Sequence, residues 1–240
     1  RDFSIYDDND RLSVIKKSLA DLGIRKERLA PSRVKGIIGK AKNDFVSPDE
    51  LVEFVTGPDA DILAHVYRRY QERLRDAAAF DFDDLLVTPV RMFRAHPESL
   101  DRWRHRFDHI LVDEYQDTNR PQYLLLRLLS EHVGGITVVG DDDQSIYRWR
   151  GADIRNILEF ERDYKDVKTI RLEQNYRSTQ MILSAANAVV SNNTKRMAKK
   201  LWTDRQGGDT IKVLECLNDR DEAERINGSI QEDVEQQGTK

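Results

Sequence analysis

The chain has 240 residues, which is enough for one large or two small domains with a hydrophobic core. A single cysteine, Cys216, cannot form a disulfide within the chain, and no cysteines and histidines have zinc-ligand spacing, so a disulfide or zinc scaffold is excluded. Hydrophobic residues make up 39% and charged residues 34% of the chain, and no apolar run approaches the roughly 18 residues of a membrane span. We therefore expect a globular protein of the cytoplasm with no membrane partner and no leader segment.

The net charge of -4 comes from 39 basic and 43 acidic residues that are unevenly distributed. Residues 11–42 contain ten basic residues and two acidic ones, an excess of eight, whereas residues 215–235 contain eight acidic residues and two basic ones, an excess of six. Each segment is compatible with a helix that has a solvated charged face. A basic face that contacts nucleic-acid phosphates is the alternative for the first segment.

The first third of the chain has helical patterns throughout. Apolar residues recur at three- and four-residue steps in residues 12–22 and again in residues 62–74. Ser47 and Glu50 have the spacing of a capping box at the start of a short helix. These patterns predict an all-helical subdomain over residues 1–79.

After residue 80, short apolar runs alternate with amphipathic stretches, which is typical of an α/β fold. We predict strands at residues 109–112, 136–139, 167–172 and 211–214, and helices at residues 121–129, 154–160 and 179–190. Such an alternation implies a parallel sheet with helices on both faces. Ligands of these sheets bind at the carboxyl ends of the strands, so the polar residues that follow each strand are the candidates for function.

The first predicted strand ends in two acidic residues, Asp113 and Glu114. A nucleoside triphosphatase uses such a pair to hold Mg²⁺ with the first carboxylate and to activate the attacking water with the second. Two acidic residues at a solvated strand end are the alternative interpretation.

The second predicted strand is followed by Gly140, three aspartates and Gln144. A glutamine side chain both donates and accepts hydrogen bonds, so Gln144 could contact a terminal phosphate or orient a water without adding charge. The aspartates after the first fit an acidic turn that caps the next helix.

Two aromatic residues, Tyr147 and Trp149, alternate with Arg148 and Arg150 directly afterwards. In an extended segment this spacing places both rings on one face, where nucleic-acid bases could stack while the guanidinium groups contact phosphates. The alternative is that both rings belong to the protein core.

The third predicted strand leads to Tyr176 and Arg177, just before Ser178 and Thr179, either of which can cap the following helix. Tyr176 offers a flat face to a nucleobase. Arg177 could neutralise the charge that develops on a transferred phosphoryl group, or it could be a surface ion-pair partner.

The order of these motifs resembles the superfamily 1A DNA helicases of the UvrD, PcrA and Rep group. The resemblance covers the whole chain and is carried by five segments: FDDLL at residues 82–86, DEYQDTN at 113–119, VGDDDQSIYRWRGA at 139–152, LEQNYRST at 172–179 and KLW at 200–202. It implies a motor with two RecA-like domains, with ATP between them and single-stranded DNA across both. It also implies 3′-to-5′ movement on DNA in repair or replication, in the bacterial cytoplasm or nucleoid.

The resemblance assigns a role to each candidate residue. Asp113 would help to hold Mg²⁺, Glu114 would be the catalytic base, and Gln144 would sense the terminal phosphate of ATP. The resemblance further implies that single-stranded DNA would be held by Tyr147, Trp149 and Arg150. Tyr176 would stack on adenine, and Arg177 would act as the arginine finger.

One departure from the family is large, because no segment reads G-x-x-x-x-G-K-S/T. We therefore expect a middle fragment that consists of a helical inserted subdomain at residues 1–79, part of a first RecA-like domain at 80–170, and the truncated start of a second at 171–240. The expected partners are single-stranded DNA, duplex junctions and repair or replication proteins.

Two alternatives to a helicase motor without a nuclease remain, one from the class of binding modules and one within the motor class. The isolated chain could bind single-stranded DNA or a partner protein without hydrolysing ATP, because it lacks the phosphate-binding loop. It could also be the motor part of a helicase-nuclease whose nuclease residues lie outside this sequence.

Overall fold

A computed structural model describes residues 2–131, 134–193 and 199–237. Arg1 and Lys240, the two ends of the predicted domain division, lie outside these described residues. The described residues up to 168 form one compact unit, and those from Thr169 onward form another. Across the described ranges, no helix has both the length and the hydropathy that crossing a bilayer would require.

The first unit contains four strands and nine helices within its described residues. The strands are β1 (Ser4–Tyr6), β2 (Ala79–Asp81), β3 (Ile110–Val112) and β4 (Ile136–Val138). The helices are α1 (Asp8–Asp21), α2 (Pro31–Asn43), α3 (Leu51–Phe54), α4 (Ala60–Asp76), α5 (Asp84–Ala95), α6 (Pro97–Arg104), α7 (Arg120–Ser130), α8 (Arg155–Leu158) and α9 (Phe160–Asp163). Three-residue 3₁₀ turns lie at Tyr115–Asp117, Asp142–Gln144 and Arg148–Arg150.

The helical front has the predicted helices but is not all-helical, which corrects the prediction for residues 1–79. Its first strand, β1, pairs in parallel with β2, and Ile5 lies opposite Phe80. The two strands are far apart in sequence and only three residues long, so periodicity within a short window does not reveal their pairing.

The core of the helical front forms where the apolar faces of α1, α2 and α4 meet. Leu29, Tyr67 and Tyr70 are fully buried there. The predicted capping box is present, since the Ser47 amide donates to a Glu50 carboxylate oxygen at 2.8 Å and the Glu50 amide donates to the Ser47 hydroxyl at 3.3 Å. The α-helix itself begins at Leu51, three residues after the first position that the box predicts.

A buried ion cluster links α2 and α4 to β2 and α5. The Lys42 ammonium is inaccessible to solvent and lies 2.7 Å from Asp81 and 2.8 Å from Asp84. The Tyr70 hydroxyl donates a further hydrogen bond to Asp81 at 2.7 Å. Burial alone would raise the pKa of Asp81, but the charges of Lys42 and Arg11 and the hydrogen bonds from Lys42 and Tyr70 together outweigh it, and the pKa is lowered. Burial dominates at Asp84, whose pKa is raised.

Replacing Lys42 with methionine should destabilise the protein by about 3–5 kcal/mol, because it removes the nearest cation from two buried carboxylates. Urea unfolding followed by circular dichroism measures this loss. The matched control is Lys35→Met on the same helix, where the ammonium pairs with the exposed Asp8 and the expected loss is below about 1 kcal/mol. Equal stability of the two variants would contradict a structural role for the cluster.

The basic excess in residues 11–42 is partly used inside the protein. Arg11 is mostly buried and donates to Asp83 at 2.9 Å, and Lys42 is completely buried. These two side chains therefore contact carboxylates of the same chain, which favours the structural interpretation for this part of the segment.

The other two strands of the first unit, β3 and β4, pair in parallel, with Leu111 opposite Thr137. Both strands and the following helix α7 agree with prediction. The predicted helix at 154–160 is instead divided into α8 and α9, because the chain leaves helical geometry at Glu159, where φ is -104° and ψ is 9°.

The second unit contains α10 (Gln180–Val190) and α11 (Asp219–Gln237) within its described residues. The predicted strands at 167–172 and 211–214 are wrong, since neither segment is in a strand. Leu172 is 77% exposed and Val213 is 92% exposed. The only strand-like pairing in the described part of this unit is an isolated parallel bridge between Gln174 and Trp202, so the apolar runs have no neighbouring strand with which to form a ladder.

Candidate functional site

Asp113 and Glu114 directly follow β3, as the sequence predicts, and both are exposed. The Asp113 carboxylate accepts a hydrogen bond from the Glu114 amide at 2.9 Å. Glu114 has a φ of 49° and a ψ of 44°, in the left-handed region that residues other than glycine rarely occupy. A strained backbone at a pair of acidic residues is a feature that clusters at functional sites.

A cavity of about 390 Å³ adjoins this acidic pair. Its lining includes three carboxylates, Asp113, Glu114 and Asp117, together with apolar residues of β3 and α7. One buried oxygen of Asp117, Oδ1, has no hydrogen-bond partner within the described residues. Burial, reinforced by the negative charge of Glu114, raises the pKa of Asp117.

The donor set at this cavity suits a divalent cation. Mg²⁺ is held in proteins by one or two carboxylates and completes its coordination with water and substrate phosphates. Asp113 and Asp117 offer carboxylate oxygens at the cavity wall, and the unpartnered oxygen of Asp117 is of the kind that a cation or water would satisfy. The residues present therefore fit Mg²⁺.

Glu114 is connected to the end of β4 by Gln116, a residue that the sequence did not single out. The Gln116 side chain is fully buried, its amide nitrogen donates to Glu114 Oε2 at 2.7 Å, and its amide oxygen accepts from the Asp141 backbone at 3.0 Å. Asp141 in turn accepts a hydrogen bond from the Gln144 side chain at 2.8 Å. A continuous chain of contacts thus joins Glu114 to Gln144.

The three aspartates after Gly140 form a compact turn. Their carboxylate oxygens lie within 4.8 Å of one another. Asp141 Oδ1 accepts a hydrogen bond from the Asp143 amide at 3.0 Å and so caps the 3₁₀ turn that follows. The turn is acidic, as predicted, but the cap is made by the first aspartate and not by the later ones, and it serves a 3₁₀ turn instead of the next α-helix.

Tyr147 and Trp149 do lie side by side, but the segment between them is a 3₁₀ turn and not extended as predicted. Their ring centroids are 6.4 Å apart, and the Arg150 guanidinium lies over both rings, 5.1 Å from the centroid of Tyr147 and 4.6 Å from that of Trp149. Trp149 is 75% exposed, which excludes it from the core. The result is an exposed aromatic and cationic surface.

This aromatic turn is held in place by the helical front. Gly151 ends the turn with a φ of 88°, and a side-chain carbon there would lie 2.7 Å from Asn43 on α2. Asn43 also accepts a hydrogen bond at 2.7 Å from the side chain of Asn119, the residue just before α7. The position therefore requires glycine both for its backbone conformation and for close packing.

Tyr176 and Arg177 belong to the second unit and are both exposed. The Tyr176 hydroxyl donates to the Gln174 side chain at 2.7 Å, and the Asn175 side chain accepts hydrogen bonds from the Arg177 and Ser178 amides at 2.9 and 2.7 Å. Arg205 donates to the Arg177 carbonyl at 2.8 Å. The backbone that carries both candidate residues is thus fixed by local contacts.

Within the first unit, the structure brings Asp113, Glu114 and Gln144 together at the neighbouring carboxyl ends of β3 and β4, where the Tyr115 amide donates to the Val139 carbonyl at 3.0 Å. The one sequence signal for a role of Gln116 is its place within the acidic motif at residues 113–119. No periodicity or charge pattern distinguishes it from its neighbours.

Comparison with known proteins gives two adjoining matches. The model of the UvrD/REP helicase N-terminal domain matches residues 1–165, and that of the UvrD-like helicase C-terminal domain matches residues 170–240. The chain belongs to the UvrD/Rep helicase family. The resemblance inferred from the motifs is therefore confirmed.

Relatives named ATP-dependent DNA helicase PcrA support the same assignment. Those of Staphylococcus epidermidis and Staphylococcus aureus are each 46% identical to this chain over 226 residues, which is 94% of the chain. The matched region is 31% of each relative, so the chain spans about a third of their length.

Proposed function

We propose that this chain is part of the motor of an ATP-dependent DNA helicase that moves 3′ to 5′ along single-stranded DNA in DNA repair or replication. The observation that carries the proposal is the connected arrangement of Glu114, Gln116 and Gln144 beside an exposed aromatic turn. The names of the staphylococcal relatives support ATP and DNA as the ligands. We further propose a location in the bacterial cytoplasm or nucleoid.

The proposed domain organisation is a RecA-like motor with a helical insertion. Residues 1–79 would be the insertion, 80–170 part of the first motor domain and 171–240 part of the second. The exposed side chains of Leu111 on β3 and Val139 after β4 support a larger sheet, because parallel sheets are covered on both faces. We expect the isolated chain to be poorly soluble for this reason.

Asp113, Glu114 and Gln144 would each have a distinct task in ATP hydrolysis. Asp113 would hold Mg²⁺, which when bound neutralises charge on the phosphate oxygens. Glu114 would accept the proton of the attacking water, since its second carboxylate oxygen makes no hydrogen bond within the described residues. Gln144 would contact the terminal phosphate, and Asp141 orients its amide.

The second unit carries the two remaining candidate nucleotide-binding residues. Tyr176 would stack on adenine, and Arg177 would supply the positive charge that stabilises the transferred phosphoryl group. The exposed position of both side chains on a locally fixed backbone supports these roles.

Replacing Trp149 with alanine should weaken single-stranded DNA binding by about 1–3 kcal/mol with little dependence on base sequence, because base stacking is lost. Fluorescence anisotropy with labelled oligonucleotides of two different sequences measures the effect. Trp103→Ala on α6, another partly exposed tryptophan, is the matched control. Unchanged affinity of a folded Trp149→Ala variant would contradict the stacking role.

Replacing Arg150 with alanine should reduce the salt dependence of DNA binding. A lost phosphate contact lowers the slope of log affinity against log salt by about 0.7 for single strands. Anisotropy titrations at four salt concentrations give the slope. An unchanged slope with weaker binding would assign Arg150 to ring packing alone.

A second candidate function applies to the isolated 240-residue chain, which would bind single-stranded DNA without hydrolysing ATP. The absence of a phosphate-binding loop from the sequence favours it. Steady ATP turnover by the purified chain, lost in Glu114→Gln, would contradict this candidate. A nuclease assay on the intact enzyme distinguishes a helicase from the motor part of a helicase-nuclease.

A further inference from the structure

We propose that Gln116 is a positioning residue that fixes the position of the catalytic base Glu114 relative to the phosphate-sensing Gln144. The inference rests on the proposed function and adds to it a residue that touches neither ATP nor DNA. Its basis is the bridge that one buried amide makes between the ends of two neighbouring strands.

The side chain of Gln116 uses both of its polar atoms in this bridge. Its nitrogen donates to Glu114 at 2.7 Å and its oxygen accepts from the Asp141 amide at 3.0 Å. Within the described residues, Gln116 is the only hydrogen-bond partner of the Glu114 carboxylate. The orientation of an otherwise exposed carboxylate therefore depends on one buried side chain.

Gly140 provides the space for this bridge. A side-chain carbon at Gly140 would lie 2.5 Å from Gln116 Oε1 and 2.8 Å from Ile157 Cδ1. Because a side chain at position 140 would displace the amide, the glycine and the glutamine form one arrangement.

The chemistry of an amide suits this task better than that of other side chains. Glutamate at position 116 could still accept from the Asp141 amide, but it could not donate to Glu114 and would repel it. Methionine has a similar shape and would make neither hydrogen bond. The two replacements therefore separate support of the turn from orientation of the base.

The hydrogen bond between Asp141 and Gln144 extends the bridge from Glu114 to the next candidate residue. Asp141 accepts from the Gln144 side chain at 2.8 Å, and the aromatic turn at Tyr147 follows three residues later. A shift of this segment would be transmitted to Glu114 through Gln116. The geometry thus connects the base to the segment that we assign to phosphate and DNA.

The test measures ATP turnover by the intact enzyme that carries this sequence, with saturating single-stranded DNA. Gln116→Met and Gln116→Glu should each lower kcat on the order of ten- to a hundred-fold, because a misplaced base loses its alignment, while KM for ATP stays within about two-fold. Gly140→Ala should lower kcat in the same way without removing the amide. Thermal melting is recorded for every variant.

The control is Asn156→Leu. It removes buried hydrogen bonds to Thr118, which directly follows the 3₁₀ turn that contains Gln116, and these bonds involve neither Glu114 nor Asp141. It should lower the melting temperature and leave kcat within about two-fold. A variant of Gln116 that loses kcat while melting no lower than this control supports the positioning role.

Two results would overturn the inference. Normal kcat in Gln116→Met would remove any role in orientation, and normal kcat in Gln116→Glu would reduce the side chain to support of the Asp141 amide. If Gln116→Met does not fold, Gly140→Ala and Gln116→Glu decide in the same way. Failure of the proposed function itself is recognised separately, by normal turnover in Glu114→Gln.

Discussion

Glu114→Gln in the intact enzyme is expected to lower ATP turnover by about 100- to 10,000-fold, the usual contribution of a general base. Glutamine keeps the shape of the side chain but cannot accept the proton of the attacking water. Nucleotide binding should be almost unchanged, because the substitution leaves Asp113 in place. Steady-state hydrolysis and equilibrium binding of a fluorescent ATP analogue measure the two effects.

The matched control for this prediction is Glu98→Gln on α6, where another exposed glutamate lies away from the cavity. Its turnover should equal that of the wild type. A Glu114→Gln variant with the same rate as this control would remove Glu114 from the reaction.

Arg177→Ala is expected to lower kcat by roughly a thousand-fold, since an arginine finger contributes about 10³ to 10⁵ to phosphoryl transfer. The loss should fall on kcat more than on KM for ATP, because the positive charge is needed most in the transition state. Single-turnover hydrolysis with excess enzyme separates this chemical step from product release.

Arg171→Ala provides the comparison for Arg177, because Arg171 is an exposed arginine six residues earlier in the same unit. Normal kcat in both variants would make Arg177 an ordinary surface residue. Arg177→Lys should be little more active than Arg177→Ala, since an ammonium group does not reproduce the planar fork of a guanidinium.

The helices and the candidate site of the first unit could be predicted because their signals are local. The capping box at Ser47 and Glu50 and the apolar stripe of α4 each lie within one window of sequence. The placement of Asp113 and Gly140 at one edge of the sheet also followed from sequence, because the parallel strands β3 and β4 end there together.

The features that sequence reasoning missed depend on contacts between distant residues. Pairing of β1 with β2 joins segments about 75 residues apart, with Ser4 opposite Ala79. The buried position of Lys42 depends on Asp81 and Asp84, which lie on other elements. An aromatic run such as Tyr147 to Trp149 satisfies an extended pattern, while the neighbouring Gly151 allows the tighter turn that is present.

The two wrong strands show the limit of apolar runs as evidence. Residues 167–172 contain the β-branched and aliphatic residues that favour a strand, but a strand requires a partner, and the described part of the second unit offers only the bridge at Gln174. Composition reports the tendency of a segment, and pairing is decided by the rest of the sheet.

The most direct test of the proposed motor is a titration of ATP turnover by the intact enzyme against single-stranded DNA concentration, in the wild type, Glu114→Gln and Trp149→Ala. We expect that DNA stimulates the wild type, that Glu114→Gln remains inactive at every DNA concentration, and that Trp149→Ala reaches the wild-type maximum at a higher DNA concentration. Turnover that does not respond to DNA in the wild type, or that persists in Glu114→Gln, would contradict it.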